Sequence, residues 1–146
     1  MATYNLTTGI DGLYQKGSTE LTTFAKEIDF ANFSGTGSAG AQNATAAIIT
    51  IPPGFYIVGL TTVVLTAGTA SKTITVELSG GTDLQTATAI DAAVGTGVST
   101  ALNTYLTAGD TIQVKLLDAS TVAGTMGITV VGFQTPLTYT NSTYAF

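Results

Sequence analysis

Two short stretches of this chain alternate apolar and polar residues with period two. In Lys72–Leu78, Ile74, Val76 and Leu78 fall on one side and Thr75 and Glu77 on the other. Asp110–Leu116 repeats the arrangement with Ile112, Val114 and Leu116 against Gln113 and Lys115. Period two is the signature of a pleated strand with one dry face and one wet face, whereas a helix requires about 3.6. The rest of the chain agrees. Thr, Ala, Gly and Val dominate, and the helix formers Glu, Lys, Gln and Met are scarce, which favours β structure. The expected class is all-β.

Other strands follow from turn signals. Ala46–Ile51 is a short apolar run ended by Pro52-Pro53-Gly54, with Pro53 and Gly54 suited to a type II turn. Phe55–Thr66 resumes as a long strand. Phe55, Ile57, Val63 and Leu65 lie on one parity, and Tyr56, Val58, Leu60 and Val64 on the other. Apolar groups on both parities imply cover on both sides, one side being the interior and the other a neighbouring subunit or loop. Met126–Gln134 places Ile128, Val130 and Gly132 on one parity, Val131 and Phe133 on the other, while Gln85–Ile90 and Thr100–Leu106 are weaker strands. Leu21–Phe33 reads as a short strand with a helical alternative. An internal echo links Leu65-Thr66-Ala67-Gly68 before Thr73–Leu78 with Leu106-Thr107-Ala108-Gly109 before Thr111–Leu116. Each copy is a strand end, a glycine turn and an alternating strand, as at two similar corners of a Greek-key sandwich.

The expected architecture is a jelly-roll or Greek-key β-sandwich of about seven or eight strands. Residues 1–20 form an extended N-terminal arm, 21–44 a short element plus a Gly/Ala linker, 45–135 the sandwich and 136–146 a threonine-rich tail.

The chemistry available to this chain is narrow. Its 146 residues include no His, Cys, Arg or Trp. The neutral-pH proton shuttle, the thiolate nucleophile, most transition-metal ligands and the guanidinium fork are therefore missing. A Ser71–Lys72 dyad fails because neighbours on a strand point to opposite faces. A carboxylate pair would have to come from Glu77, Asp83, Asp91, Asp110 or Asp118, most of which stand in turn-like contexts. Calcium could draw on Asp83 or Asp110, but no D-x-D-x-D-G run exists. Gly35-x-Gly37-x-x-Gly40 matches a dinucleotide fingerprint only by letters, without a βαβ setting. No catalytic residue, metal site or cofactor is expected, and the chain is read as not an enzyme.

Partners are bounded by charge. The net charge is −5 and the four lysines (Lys16, Lys26, Lys72, Lys115) are scattered, which disfavours nucleic acid and anionic membranes. Met1–Leu6 shows no export signal, and no apolar run approaches bilayer-spanning length. Aromatic and aliphatic groups in the arm and tail are the candidate partner-binding residues: Tyr4, Leu6, Leu13, Tyr14, Tyr139, Tyr144 and Phe146. Tyr56, Val58 and Leu60 are the candidate oligomer interface, from the double-sided strand. Exposed tyrosines could also stack on sugar rings, which keeps a carbohydrate-binding or adhesin head as an alternative.

The order of segments resembles a known group. Tyr4-Asn5-Leu6 leads to Asp11-Gly12-x-Tyr14-x-Lys16-Gly17, then Glu27-Ile28-Asp29-Phe30-Ala31, a Gly/Ala linker and Ile49-Thr50-Ile51-Pro52-Pro53-Gly54. Over most of the chain this is similar to the head decoration, or cement, proteins and minor virion proteins of tailed bacteriophages. The resemblance implies a β-sandwich that trimerises on the outside of an icosahedral shell and clamps neighbouring major capsid subunits. It carries no catalytic residue to transfer. The chain would be made in the bacterial cytoplasm and reside on the outer surface of the virion.

Overall fold

The computed structural model describes residues 21–32, 44–117 and 122–135. Eight strands run through them: β1 (Thr22–Asp29), β2 (Thr45–Ile51), β3 (Phe55–Thr66), β4 (Thr73–Leu78), β5 (Asp83–Ala89), β6 (Gly97–Leu106), β7 (Asp110–Leu116) and β8 (Thr125–Gln134). A single 3-10 turn, Phe30–Asn32, follows β1. The first sheet has the order β1-β8-β3-β6 and the second β2-β7-β4-β5, and every pairing is antiparallel. Strands pair outward from the β4–β5 hairpin, β3 with β6, β2 with β7 and β1 with β8. This is a long antiparallel ribbon rolled into two facing sheets, a jelly roll.

The strand alternative for Leu21–Phe33 prevails, because Phe24 and Ile28 of β1 face the interior opposite Val130 and Met126 of β8. The sandwich therefore takes in Thr22–Asp29 as well as the strands after residue 44. Both copies of the internal echo are corners that hand the chain from the first sheet to the second, β3 to β4 and β6 to β7. Gly109 shows why glycine stands there. Its φ is +74°, and a Cβ would lie 2.6 Å from the Ile51 carbonyl oxygen.

The interior is aliphatic, with Ile51, Ile57, Ile74, Val76, Ile112, Val114 and Ile128 each at most 1% exposed. The two-sided reading of β3 requires correction. A bulge at Val58 shifts the register against both β6 and β8 between Ile57 and Gly59. One inserted residue moves the following side chains to the other face. Phe55 and Ile57 before the bulge and Leu60, Thr62 and Val64 after it consequently all point inward. Leu60 is 1% exposed and belongs to the core, so it is not an interface residue.

Between edge strands β5 and β6 the interior is closed by a polar clamp. Gln85 Oε1 accepts from the Thr62 hydroxyl at 2.7 Å and the Thr88 hydroxyl at 3.1 Å. Its Nε2 donates to the Val98 carbonyl at 3.1 Å and to Thr100 Oγ1 at 2.9 Å. The amide thus fills its capacity on both ends, which makes burial of Gln85, Thr62 and Thr88 tolerable. Replacing Gln85 with leucine strands these partners and is expected to cost about 2 kcal/mol, readable by urea denaturation.

Candidate interaction surface

The outward faces of the two sheets differ in kind. On the second sheet β4 and β7 present Glu77, Gln113 and Lys115. Thr75 and Glu77 keep the outward parity expected of them but are not wet, at 3% exposure each. Lys115 Nζ donates to Glu77 Oε2 at 2.5 Å and Gln113 Nε2 to Oε1 at 2.7 Å, so neighbouring long side chains lie over the central strand. Asp83 lies 3.9 Å from the same ammonium. Burial pushes the Glu77 carboxyl up, but the hydrogen bonds from Lys115 and Gln113 and the lysine charge outweigh it and hold it below its ordinary value. Lys115 is raised, chiefly by its hydrogen bond to Glu77.

The first sheet is different. Across β8, β3 and β6 its outward positions carry no charge. Aromatic rings form a cross-strand row there: Tyr56 of β3 stands opposite Phe133 of β8 on one side and Tyr105 of β6 on the other. Tyr56 and Phe133 stack with centroids 5.1 Å apart and planes at 18°. The Tyr56 hydroxyl donates to Asn103 Oδ1, and Tyr105 remains 45% exposed. Farther along, Thr61 and Ser99 hydroxyls pair at 2.9 Å.

The row sits over a pinned turn. Gly54, with φ of +76°, donates its N–H to the Leu106 carbonyl at 2.7 Å and accepts from the Thr135 N–H at 2.9 Å. Gln134 Nε2 donates to the Pro53 carbonyl at 2.7 Å, and Thr135 Oγ1 lies 3.2 Å from the Tyr105 hydroxyl. A rigid aromatic platform loses little conformational freedom on contact, which suits it to recognition.

Of the residues expected at an oligomer interface, Tyr56 lies in this row and Val58 sits half-buried in the bulge. The residues expected to bind partners, Tyr4, Leu6, Leu13, Tyr14, Tyr139, Tyr144 and Phe146, lie outside the described residues. Phe133 and Tyr105 were missed. Their signal was parity, since each alternates out of phase with core residues of its own strand, Val130 and Leu106.

Of the carboxylates weighed for catalysis or calcium, Asp118 lies outside the described residues, and the others serve turns or the ion pair. Asp110 accepts from the Ser79 hydroxyl and from the Thr111 N–H (2.7 Å), bonds that lower its carboxyl. Asp91 accepts from the Ser71 N–H at 2.7 Å, and Asp29 from the Ala31 N–H at 2.9 Å. Among the described residues no three acidic side chains converge as a metal site would require.

No family model matches the sequence, and no curated protein is similar to it. The fold is similar to that of a chain in the acidic stable capsid structure of Helicobacter pylori bacteriophage KHP30, with a TM-score of 0.57 and 14% identity. That match covers 82% of this chain and 91% of the other. It is also similar to a chain in the capsid asymmetric unit of cyanophage Pam1, with a TM-score of 0.52, 15% identity and coverage of 78% and 84%. What these proteins share with this chain is the fold.

Proposed function

We propose that this chain is a structural protein of a bacteriophage virion, a decoration or cement protein that binds major capsid subunits on the outer shell as a homotrimer. The carrying observation is the fold shared over 91% and 84% of chains from two phage capsids. The uncharged aromatic face supports attachment through apolar contact. A net charge of −5 without arginine supports an outer position, away from packaged DNA.

Mass spectrometry of gradient-purified particles carrying a tagged copy of the gene tests the reading. The expected result is the chain present in fixed ratio to the major capsid protein; particles that lack it end the proposal. Within that experiment, Tyr56→Ser with Phe133→Ser is expected to leave the sandwich folded and weaken attachment about tenfold or more, as loss of an aromatic anchor does.

A glycan-binding head is the second reading, favoured by exposed Tyr105 beside Asn103 and Thr135. A glycan array probed with the full chain separates the two.

A further inference from the structure

Among the described strands, four form the lateral edges of the two sheets, and three of these are blunted against further pairing. Edge strand β1 carries Lys26, Glu27 and Asp29. Register shifts interrupt β5, where Ala87 adopts a φ of +48°. Edge strand β2 is seven residues long with a shift between Ala47 and Ile49. Charges, bulges and shortness are the usual devices that keep an edge from recruiting another strand. Edge strand β6 is the exception: ten residues, Gly97–Leu106, without charge or proline, and its neighbour β3 carries no charge either. Two exposed large apolar side chains stand on it, Val98 at 43% and Tyr105 at 45%.

The direction of its main chain can be read from its two ends. The Thr96 and Leu106 carbonyls point at β3, accepting from the Val64 and Gly54 N–H groups. Successive residues of an antiparallel strand direct their main-chain groups to alternate sides. Gly97, Ser99, Ala101, Asn103 and Tyr105 therefore turn theirs away from β3, and among the described strands β6 has no other ladder.

We propose that β6 pairs antiparallel with β6 of a second copy across a two-fold axis at Ala101, joining the two first sheets edge to edge. The outward-turned residues are centred on Ala101, so this register matches all of them and forms about ten main-chain hydrogen bonds. Ala101 faces Ala101, Ser99 faces Asn103, and Gly97 faces Tyr105, whose ring lies over a position without a side chain. On the other parity Val98 faces Thr104 and Thr100 faces Leu102, which covers the exposed rim.

Charge selects a like copy as the occupant. At a net charge of −5 two copies repel, so they meet where neither brings charge to the contact. A strongly charged partner finds no counter-charge on this edge, whereas a two-fold axis sets each neutral side chain against another neutral one.

The contact is two-fold and so is separate from the trimer and from capsid attachment. Light scattering of the full chain is expected to give an even number of copies. Ala101→Lys sets two like charges face to face on the axis and should halve the mass, as should Ala101→Glu. Mixing the two variants should restore it, since lysine then faces glutamate, and restoration also shows that both fold. Because the chain has no cysteine, a second measurement stands free of background. Val98→Cys chains oxidised together with Thr104→Cys chains should give a disulfide-linked pair that neither gives alone. A single-chain or odd-numbered mass for the unaltered protein, a mass unmoved by both charges, or a mixture without the linked pair overturns the proposal. A three-chain mass overturns it while leaving the trimer standing; a two-chain mass halved by Ala101→Lys supports it and ends the trimer.

Discussion

Gly132→Ala should destabilise the protein by about 3 kcal/mol or more, the size of a severe overpacking effect. Gly132 occupies an inward position on β8, following Met126, Ile128 and Val130 in the same parity. An added Cβ would lie 2.1 Å from the Tyr56 carbonyl oxygen and 2.4 Å from the Phe55 ring. Phe55 is 1% exposed and meets Phe24 edge-on at 5.4 Å, so its ring has nowhere to retreat. The nearer contact is backbone, and moving it breaks the central β3–β8 ladder. Shrinking the ring with Phe55→Leu should therefore fail to rescue the variant. Gly127→Ala on the same strand is the control: its Cβ would meet Leu65 at an ordinary 3.6 Å, and a change below about 1 kcal/mol is expected. Urea denaturation of the three proteins decides, and a near-neutral Gly132→Ala would refute the packing of Phe55 over that glycine.

Lys115→Met should cost about 3 kcal/mol at neutral pH, because it strands a buried carboxylate. Glu77 is 3% exposed, and without the ammonium its burial is opposed mainly by Gln113. The sign of the pH effect follows. In the unaltered protein the folded Glu77 titrates below its unfolded value. Its contribution is therefore fully present above the ordinary glutamate range and is lost as pH falls through the lowered folded value. In Lys115→Met burial raises the folded value instead, so protonation relieves the strain and the deficit narrows between about pH 7 and pH 4. Lys115, raised in the folded state, contributes below the ordinary lysine range and loses that contribution only as pH climbs through its folded value. Glu77→Leu combined with Lys115→Met should return to within about 1 kcal/mol of the starting stability. A pH-independent deficit in the single variant would contradict the buried pair.

Those two cases mark where sequence reading succeeds and where it stops. Strands β4 and β7 were legible because alternation runs unbroken through each, so Ile74, Val76, Ile112 and Val114 face inward as their spacing requires. In β3 the same logic misassigned Leu60, since a bulge at Val58 changes phase while leaving composition untouched. Glu77 kept its parity, but its dryness depends on Gln113 and Lys115, which reach it from another strand 36 and 38 residues away. The aromatic row was half visible for a related reason. Tyr56 stood out within its own strand, whereas Phe133 and Tyr105 join it only through a strand order that local periodicity does not encode.

That strand order also sets a timetable. In the first sheet β8 lies between β1 and β3, so the last of the described strands to leave the ribosome is an interior one. Until Gln134 has emerged, β1 has no neighbour in its sheet and β3 lacks its ladder partner on that side. Pairings this remote along the chain close slowly, leaving bare aliphatic surface for the duration of synthesis. Truncations or stalled chains ending before residue 125 should therefore accumulate as insoluble material, while chains that extend through Gln134 fold.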